Sequence, residues 1–143
     1  MRLLAITAFW VCLISSVNAE SKAQVTKEGL IEDNINLPFI DDVNVIGTWK
    51  SVDFINTIDQ FNSEKKTIKE ELYLKELVFL KDGKTSKNWW TWTKGVLMHS
   101  GDKTASKYEI KTINGKQYLF LEWKSGDYTI RHRKPKYYVL IKQ

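Results

Sequence analysis

The stretch KYEIKTINGKQYLFLEWKS, residues 107–125, places a turn signal between two runs of apolar, β-branched and aromatic residues. Asn114-Gly115 is the dipeptide most typical of a two-residue hairpin turn, because both residues tolerate the positive φ angles that such a turn requires. The flanking segments, 107–113 and 116–125, are therefore predicted to be antiparallel strands.

Similar short runs and turn signals occur on both sides of this hairpin. Asp82-Gly83, Lys94-Gly95 and Gly126-Asp127 predict three further turns. About eight sequential antiparallel strands favour an all-β fold, a single up-and-down antiparallel barrel, because closure removes the exposed sheet edges. The predicted strands are residues 45–55, 72–80, 85–93, 96–100, 107–113, 116–125, 128–133 and 136–142.

The N-terminal part has a different composition. Residues 1–19 combine a positive start, the apolar run LLAITAFWVCLI and small residues before the end, which indicates a cleaved secretory signal peptide. An uncleaved anchor is the alternative. Residues 20–41 are polar without sustained periodicity and predict a flexible leader, of which residues 37–39 are expected to touch the barrel domain, residues 42–143. We expect the protein to be secreted, or to be located in the periplasm or cell envelope.

Few residues in the chain could support catalysis. The single cysteine, Cys12, lies inside the apolar run, so the mature chain would have no thiol for a disulfide or a metal site. The two histidines, His99 and His132, show no spacing typical of a catalytic triad or of metal ligands. We therefore expect a non-enzymatic protein with no metal and no cofactor.

The net charge of +5 is unevenly distributed. Residues 20–50 carry six acids and three bases, whereas residues 103–143 carry ten bases and three acids. A basic C-terminal half can attract phosphate, anionic lipid or a cell-wall polymer. For a secreted chain we expect no nucleic-acid partner, while peripheral membrane contact stays open. We expect a monomer.

The stretch NWWTWT, residues 88–93, holds half of the six tryptophans. Alternation along a strand places Trp90 and Trp92 on one face and Trp89 on the other. Two indoles on one face can fill a core, or they can stack on successive sugar rings. Either face of this strand could point into the barrel.

Glu122 is the one acid within a strongly apolar predicted strand, and it shares a face with Tyr118 and Phe120. If that face points inward, the carboxylate needs a partner, because an unpaired buried charge is costly. Arg131 and Arg133, on the next predicted strand, are the available cations. Glu122 would then be part of a structural ion pair, or it would bind a ligand.

Two motifs resemble the hallmarks of the lipocalin and wider calycin families. They are VIGTWKS, which contains Gly47 and Trp49, and SGDYTIRHR, which contains Arg131 and Arg133. The resemblance implies that Trp49 plugs the closed end of a lipocalin-like barrel. It also implies that one of the two arginines packs across the indole ring as a cation–π contact.

A second resemblance covers residues 41–142. The chain is similar there to a lipocalin-like domain that forms the extracytoplasmic tail of bacterial antirepressor-type membrane metallopeptidases. The chain departs from that arrangement by lacking the peptidase segment, so the resemblance implies ligand sensing or binding and no proteolytic residue. The segments that carry it are VIGTWKSVDFI, LYLKELVFL, WTWTKG, DKTASKY, YLFLEWKSGDY and KPKYYVL.

These patterns predict a secreted, non-catalytic binding protein that holds a small apolar or amphipathic molecule in its barrel. One alternative is a surface-binding module for a cell-wall glycan or a protein partner, using exposed aromatics and the basic half. Another is a fully packed barrel that serves as an interaction scaffold. The predicted ligand-binding residues are Trp90, Trp92, Tyr118, Phe120, Glu122, Arg131 and Tyr138. The predicted structural residues are Gly47, Trp49, Arg131 and Arg133.

Overall fold

The computed structural model describes residues 19–65 and 71–143. The predicted signal peptide lies outside these ranges except for its last residue, Ala19. In chain order the described elements are β1 (Ala23–Val25), β2 (Ile31–Asp33), β3 (Gly47–Ile55), a 3-10 helix (Ile58–Gln60), β4 (Glu76–Phe79), β5 (Trp90–Thr93), β6 (Val96–His99), β7 (Thr104–Ile113), β8 (Lys116–Trp123), α1 (Gly126–Arg131) and β9 (Lys136–Lys142).

Strands β3 to β9 form one antiparallel sheet in the order β4-β3-β9-β8-β7-β6-β5. The two edge strands meet through the segment that follows β4, where Phe79 pairs with Thr85 and Lys84 pairs with Thr91. These pairings nearly close the sheet and cover edges that would otherwise be exposed. The protein is therefore an all-β, up-and-down antiparallel barrel, and the predicted fold class is confirmed.

Three of the four turn signals in the sequence correspond to turns, whereas the predicted turn at Gly126-Asp127 is wrong because these residues begin helix α1. Asn114 and Gly115 join β7 to β8 with φ angles of 50° and 76°, the left-handed conformation that a tight hairpin requires. Asp82 and Gly83, after β4, have φ angles of 59° and 74°. At Gly83 a side chain would also place its Cβ only 2.8 Å from the Trp92 carbonyl oxygen, so only glycine fits.

The prediction of a strand at residues 128–133 is wrong, because most of this segment belongs to helix α1, Gly126–Arg131. Ser125 caps the helix by accepting a hydrogen bond on Oγ from the Asp127 amide at 3.3 Å. Asp127 and Arg131 then form an i,i+4 ion pair at 3.3 Å, and His132 ends the helix with a φ of 55°.

Two other predicted strands are shorter than expected. The segment 72–80 yields only β4, and the segment 85–93 yields only β5. The hydroxyl of Thr85 donates to the carbonyls of Lys87 and Trp90, each at 3.0 Å, which holds the residues between them in a loop. Within the described residues the barrel therefore has seven strands where about eight were predicted.

The segment predicted to be a flexible leader, residues 20–41, packs along the barrel instead. It contains the β1–β2 hairpin, and the Asp33 amide donates to the Lys103 carbonyl at 2.9 Å. The hydroxyl of Thr93 donates to the Pro38 carbonyl at 2.8 Å. The ring of Phe39 meets Trp92 edge to face at 5.3 Å, so the expected contact of residues 37–39 with the barrel is confirmed.

The barrel interior is filled by large apolar side chains. A β-bulge in β3 between Ser51 and Asp53 shifts the alternation, so that Trp49 and Phe54 both belong to the interior cluster. A second, outer cluster lies beneath Phe61. In the part of the chain that the structure describes, no helix has the length and apolarity of a membrane span. Fully buried interior residues include Trp49, Leu77, Phe79, Trp92, Leu97, Leu119, Leu121 and Leu140.

Candidate ligand-binding site

Trp90 and Trp92 lie on β5, whereas Trp89, predicted to lie on the other face of this strand, belongs to the turn just before it. Trp90 and Trp92 belong to the interior cluster, whereas Trp89 is 70% exposed. The two-residue turn between β5 and β6 places Trp90 opposite His99 and Trp92 opposite Leu97. The Trp90–Trp92 face therefore points into the barrel.

Aromatic rings converge at one end of the barrel, which we call the aromatic end; it comprises Tyr73, Trp90, His99, Trp123 and Tyr138. The indole of Trp90 stacks on His99 with ring centroids 4.6 Å apart. Trp123 lies 6.0 Å from Trp90 and 5.0 Å from Tyr138. The rings meet here because Trp90 begins β5, His99 ends β6 and Trp123 ends β8.

A cleft of about 290 Å³ opens at the aromatic end, and we call it the aromatic cleft. Trp89 and Tyr73 form part of its wall although they are 70% and 82% exposed. Exposed aromatic rings beside half-buried ones are typical of ligand sites, because they offer apolar area at low entropic cost. The lining residues are Tyr73, Trp89, Trp90, His99, Gly101, Asp102, Trp123, Lys124 and Ser125.

His99 is one of the polar residues in the wall of this cleft, and only 4% of the residue is exposed. Burial lowers the pKa of its imidazole below 6.5; the carboxylate of Asp102 acts in the opposite direction, and Lys124 lowers it further. Among the described residues, Nε2 has no hydrogen-bond partner. A neutral imidazole with an unpaired ring nitrogen therefore lines the cleft.

A buried ion pair supports one side of the cleft. Nζ of Lys124 lies 2.5 Å from Oδ2 of Asp33, and both side chains are almost completely buried. The same oxygen accepts from the Ala105 amide at 2.9 Å, and Oδ1 accepts from the Tyr128 hydroxyl at 3.0 Å. Burial and the hydrogen bond to Asp33 raise the pKa of Tyr128 to about 12. The network ties β2, β7 and α1 to the end of β8.

The structure separates the predicted ligand-binding residues. Trp90 and Tyr138 lie at the aromatic end, but Trp92 is a core residue whose Nε1 donates to the Leu80 and Lys84 carbonyls, both at 2.8 Å. Tyr118 and Phe120 lie on the opposite face of β8 from Leu119 and Leu121. Their rings pack in the outer cluster under Phe61, at 5.0 Å and 5.5 Å.

The predicted pairing of Glu122 with an arginine is wrong. Oε2 of Glu122 accepts from the Lys107 amide at 3.0 Å, on the outer face of the barrel. Arg131 belongs to α1, where it pairs with Asp127 and is exposed. Because the strand beside β8 is β9 rather than the predicted strand 128–133, neither arginine lies across from Glu122.

A cation does lie over Trp49, but it is not the predicted Arg131 or Arg133. Nζ of Lys142, near the end of β9, is 5.3 Å from the indole centroid. The indole Nε1 donates to the Val45 carbonyl at 2.7 Å. Gly47 precedes Trp49 with a φ of 131°, and a Cβ there would be 3.4 Å from Cε of Lys142. Trp49 is thus a fully buried residue whose ring is covered by Lys142.

Sequence reasoning also missed His99 as a residue of the site. The signal that could have found it is the Lys94-Gly95 turn, because a two-residue turn fixes the register and puts His99 opposite Trp90.

Comparison of the chain with protein-family models, with curated proteins and with solved structures finds no match. Within residues 19–65 and 71–143, no group of three or more His, Cys, Asp or Glu side chains is placed to hold a metal ion.

Proposed function

We propose that the chain is a secreted, non-catalytic binding protein whose ligand, a small apolar or amphipathic molecule, occupies the aromatic cleft. The observation that carries this proposal is the state of His99. Its ring is stacked on Trp90 and almost fully buried, yet Nε2 has no partner among the described residues. A buried polar atom without a partner costs about 1–3 kcal/mol. Nε2 is itself shielded from solvent, so a ligand that hydrogen-bonds it, after a small shift of the cleft wall, would remove that cost.

The surroundings of His99 favour a flat ligand. Trp90 and Trp123 present ring surfaces at the base of the cleft, and Tyr73 and Trp89 add exposed rings at its rim. Aromatic pairs contribute about 0.5–1.5 kcal/mol beyond the area they bury. A ligand with one or two rings would fit a cleft of about 290 Å³.

The cleft lies at the end of the barrel rather than in its middle. The middle is occupied by side chains such as Trp92, Leu97 and Leu121, which are at most 1% exposed. We therefore place the ligand at the aromatic end. Secretion into the cell envelope or beyond is supported by the apolar run in residues 1–19, and a binding role is supported by the lipocalin-like motif around Trp49.

A surface-binding module for a cell-wall glycan or a protein partner is the second candidate. It is favoured by the exposure of Trp89 and Tyr73, because stacking on sugars needs rings that are open to solvent. Under this alternative the buried His99 would have no role in binding. The two candidates therefore differ in whether a molecule enters the cleft or only contacts its rim.

Native mass spectrometry of the secreted protein, together with titration by phenylnaphthylamine, tests the proposal. Phenylnaphthylamine is a neutral aromatic probe whose emission rises in apolar sites. We expect a co-purifying small molecule, saturable probe binding, and about five- to tenfold weaker binding in the Trp89→Ala variant. Leu80→Ala, which removes an exposed apolar side chain away from the cleft, is the matched control and should bind normally.

Absence of both a co-purifying molecule and saturable probe binding would overturn the proposal. Equal loss in Leu80→Ala and Trp89→Ala would also overturn it, because binding would then not involve the cleft. Binding of soluble cell-wall glycan fragments that depends on Trp89, in a protein that does not bind phenylnaphthylamine, would favour the surface module instead.

A further inference from the structure

We infer that the ligand of the aromatic cleft carries an anionic group, and that Arg133, Lys134 and Lys136 bind this group. The inference rests on the proposed function, since it assigns the chemical class of the molecule in the same site. The chemistry that would be recognised is an aromatic or amphipathic carboxylate, sulfonate or phosphate.

The structural basis is a second cleft lined by Trp123, which we call the basic cleft. It has a volume of about 320 Å³, and it shares Trp123 and Ser125 with the aromatic cleft. A ligand whose rings lie against Trp123 can therefore extend a substituent into the basic cleft. The lining residues are Phe54, Trp123, Ser125, Asp127, Tyr128, Arg133, Lys134, Pro135, Lys136 and Tyr138.

The charges of the basic cleft are unbalanced. Arg133 and Lys134 are exposed, and neither belongs to an ion pair within the described residues. The acid in its lining is Asp127, whose Oδ1 already lies 3.3 Å from Nη1 of Arg131. Nζ of Lys136 lies over the Phe54 ring at 5.7 Å, so this cation is also at the cleft wall. The field in the cleft is therefore positive.

The chemistry of these side chains suits an anionic group. A guanidinium can bind a carboxylate, sulfonate or phosphate through two hydrogen bonds, and a neighbouring ammonium adds a point charge. Pro135 lies between the cations and restricts the backbone of this segment. An apolar body over Trp123 with an anionic substituent towards Arg133 would contact both clefts at once.

A matched pair of probes tests the inference. Anilinonaphthalene sulfonate is phenylnaphthylamine with one added sulfonate, so the two probes differ in charge while sharing their rings. We expect wild-type protein to bind the sulfonate more tightly, with an advantage that shrinks as salt is added, because salt screens exposed charges. The double variant R133A/K134A should bind the sulfonate about five- to tenfold more weakly and the neutral probe as before.

Two further variants serve as controls. K81A/K116A removes two exposed lysines that line neither cleft, and it should bind both probes normally. Lys134→Glu alone should repel the sulfonate and leave binding of the neutral probe unchanged, which also reports that the barrel is folded.

Three outcomes would overturn the inference. If the wild-type protein binds the two probes with equal affinity, and R133A/K134A binds them as the wild type does, an anion site is excluded. The proposed function would still stand. An equal loss of sulfonate binding in K81A/K116A would show that overall charge, rather than the basic cleft, attracts the probe. Failure of both probes to bind the wild type would overturn the inference and the proposed function together.

Discussion

The imidazole of His99 lies parallel to the indole of Trp90, with ring centroids 4.6 Å apart and planes at 6° to each other. The β5–β6 register places the two residues directly opposite one another. Stacking fixes the orientation of the imidazole, and burial keeps it neutral near neutral pH. His99 therefore lines the cleft with its ring in one orientation, which is what a preorganised binding residue requires.

Stability should fall in mild acid because of His99. Burial lowers the pKa of the folded imidazole below the ordinary value of 6.5. The Asp102 carboxylate raises this pKa, and the Lys124 ammonium lowers it. As pH falls below 6.5, the unfolded chain therefore takes up the proton before the folded chain does, and the free energy of unfolding decreases through the folded pKa. His99→Phe keeps a ring on Trp90 and should make this dependence shallower.

Urea unfolding at about pH 7.5 and about pH 5 checks this prediction, because the interval spans the ordinary titration range of histidine. His132→Gln is the matched control. His132 is exposed and lines neither cleft, so its replacement controls for the removal of a histidine elsewhere on the surface. An unchanged pH dependence in His99→Phe would contradict the assignment of a buried, neutral imidazole.

Removal of the Asp33 carboxylate should destabilise the protein strongly. Asp33→Asn leaves the Lys124 ammonium buried without its counter-ion, and breaking such a pair costs about 3–5 kcal/mol. Glu32→Gln, one position away, removes a partly exposed carboxylate 3.7 Å from Lys103 and should cost less than about 1 kcal/mol. Urea unfolding of both variants measures the difference in free energy. Similar costs for the two would contradict the buried network.

The core tryptophan of β5 and the exposed tryptophan just before this strand should respond differently to truncation. Trp92→Ala removes a core indole that is 1% exposed and hydrogen-bonded to two carbonyls, which should cost about 3–5 kcal/mol. Trp89→Ala removes an exposed indole and should cost about 0.5 kcal/mol or less. Thermal or urea unfolding distinguishes these values. Greater destabilisation by Trp89→Ala would contradict the assignment of Trp92 to the core and of Trp89 to the surface.

The fold was predictable because its signals are local. Asn114-Gly115 and Asp82-Gly83 adopt the positive φ angles that their turns need, whatever surrounds them. The run KYYVLIK contains enough aromatic and β-branched residues to specify β9 with its predicted bounds. In 128–133 two local signals conflict: the apolar alternation suggests a strand, but Ser125, Asp127 and Arg131 satisfy the start and end preferences of a short helix.

The site was less predictable because its contacts are distant in sequence. Asp33 and Lys124 are separated by 91 positions, and no spacing rule connects them. Strand alternation alone puts Trp123 and Glu122 on opposite faces without saying which face is inward. The inward face is decided by the whole barrel, in which Leu119, Leu121 and Trp123 pack against the interior cluster. The prediction for Tyr118 and Phe120 placed them on the wrong side for this reason.

The NMR signals of the tryptophan indole N–H groups test most directly whether a ligand binds at the aromatic end. In a two-dimensional proton–nitrogen NMR spectrum, each indole N–H reports on its own surroundings. Titration with phenylnaphthylamine should shift the signals of Trp90 and Trp123 at the aromatic cleft. The signals of Trp49 and Trp92 should stay in place, because their N–H groups donate to carbonyls within the core. Shifts at Trp49 or Trp92 without shifts at Trp90 and Trp123, or no shift at all, would contradict a ligand site at the aromatic end.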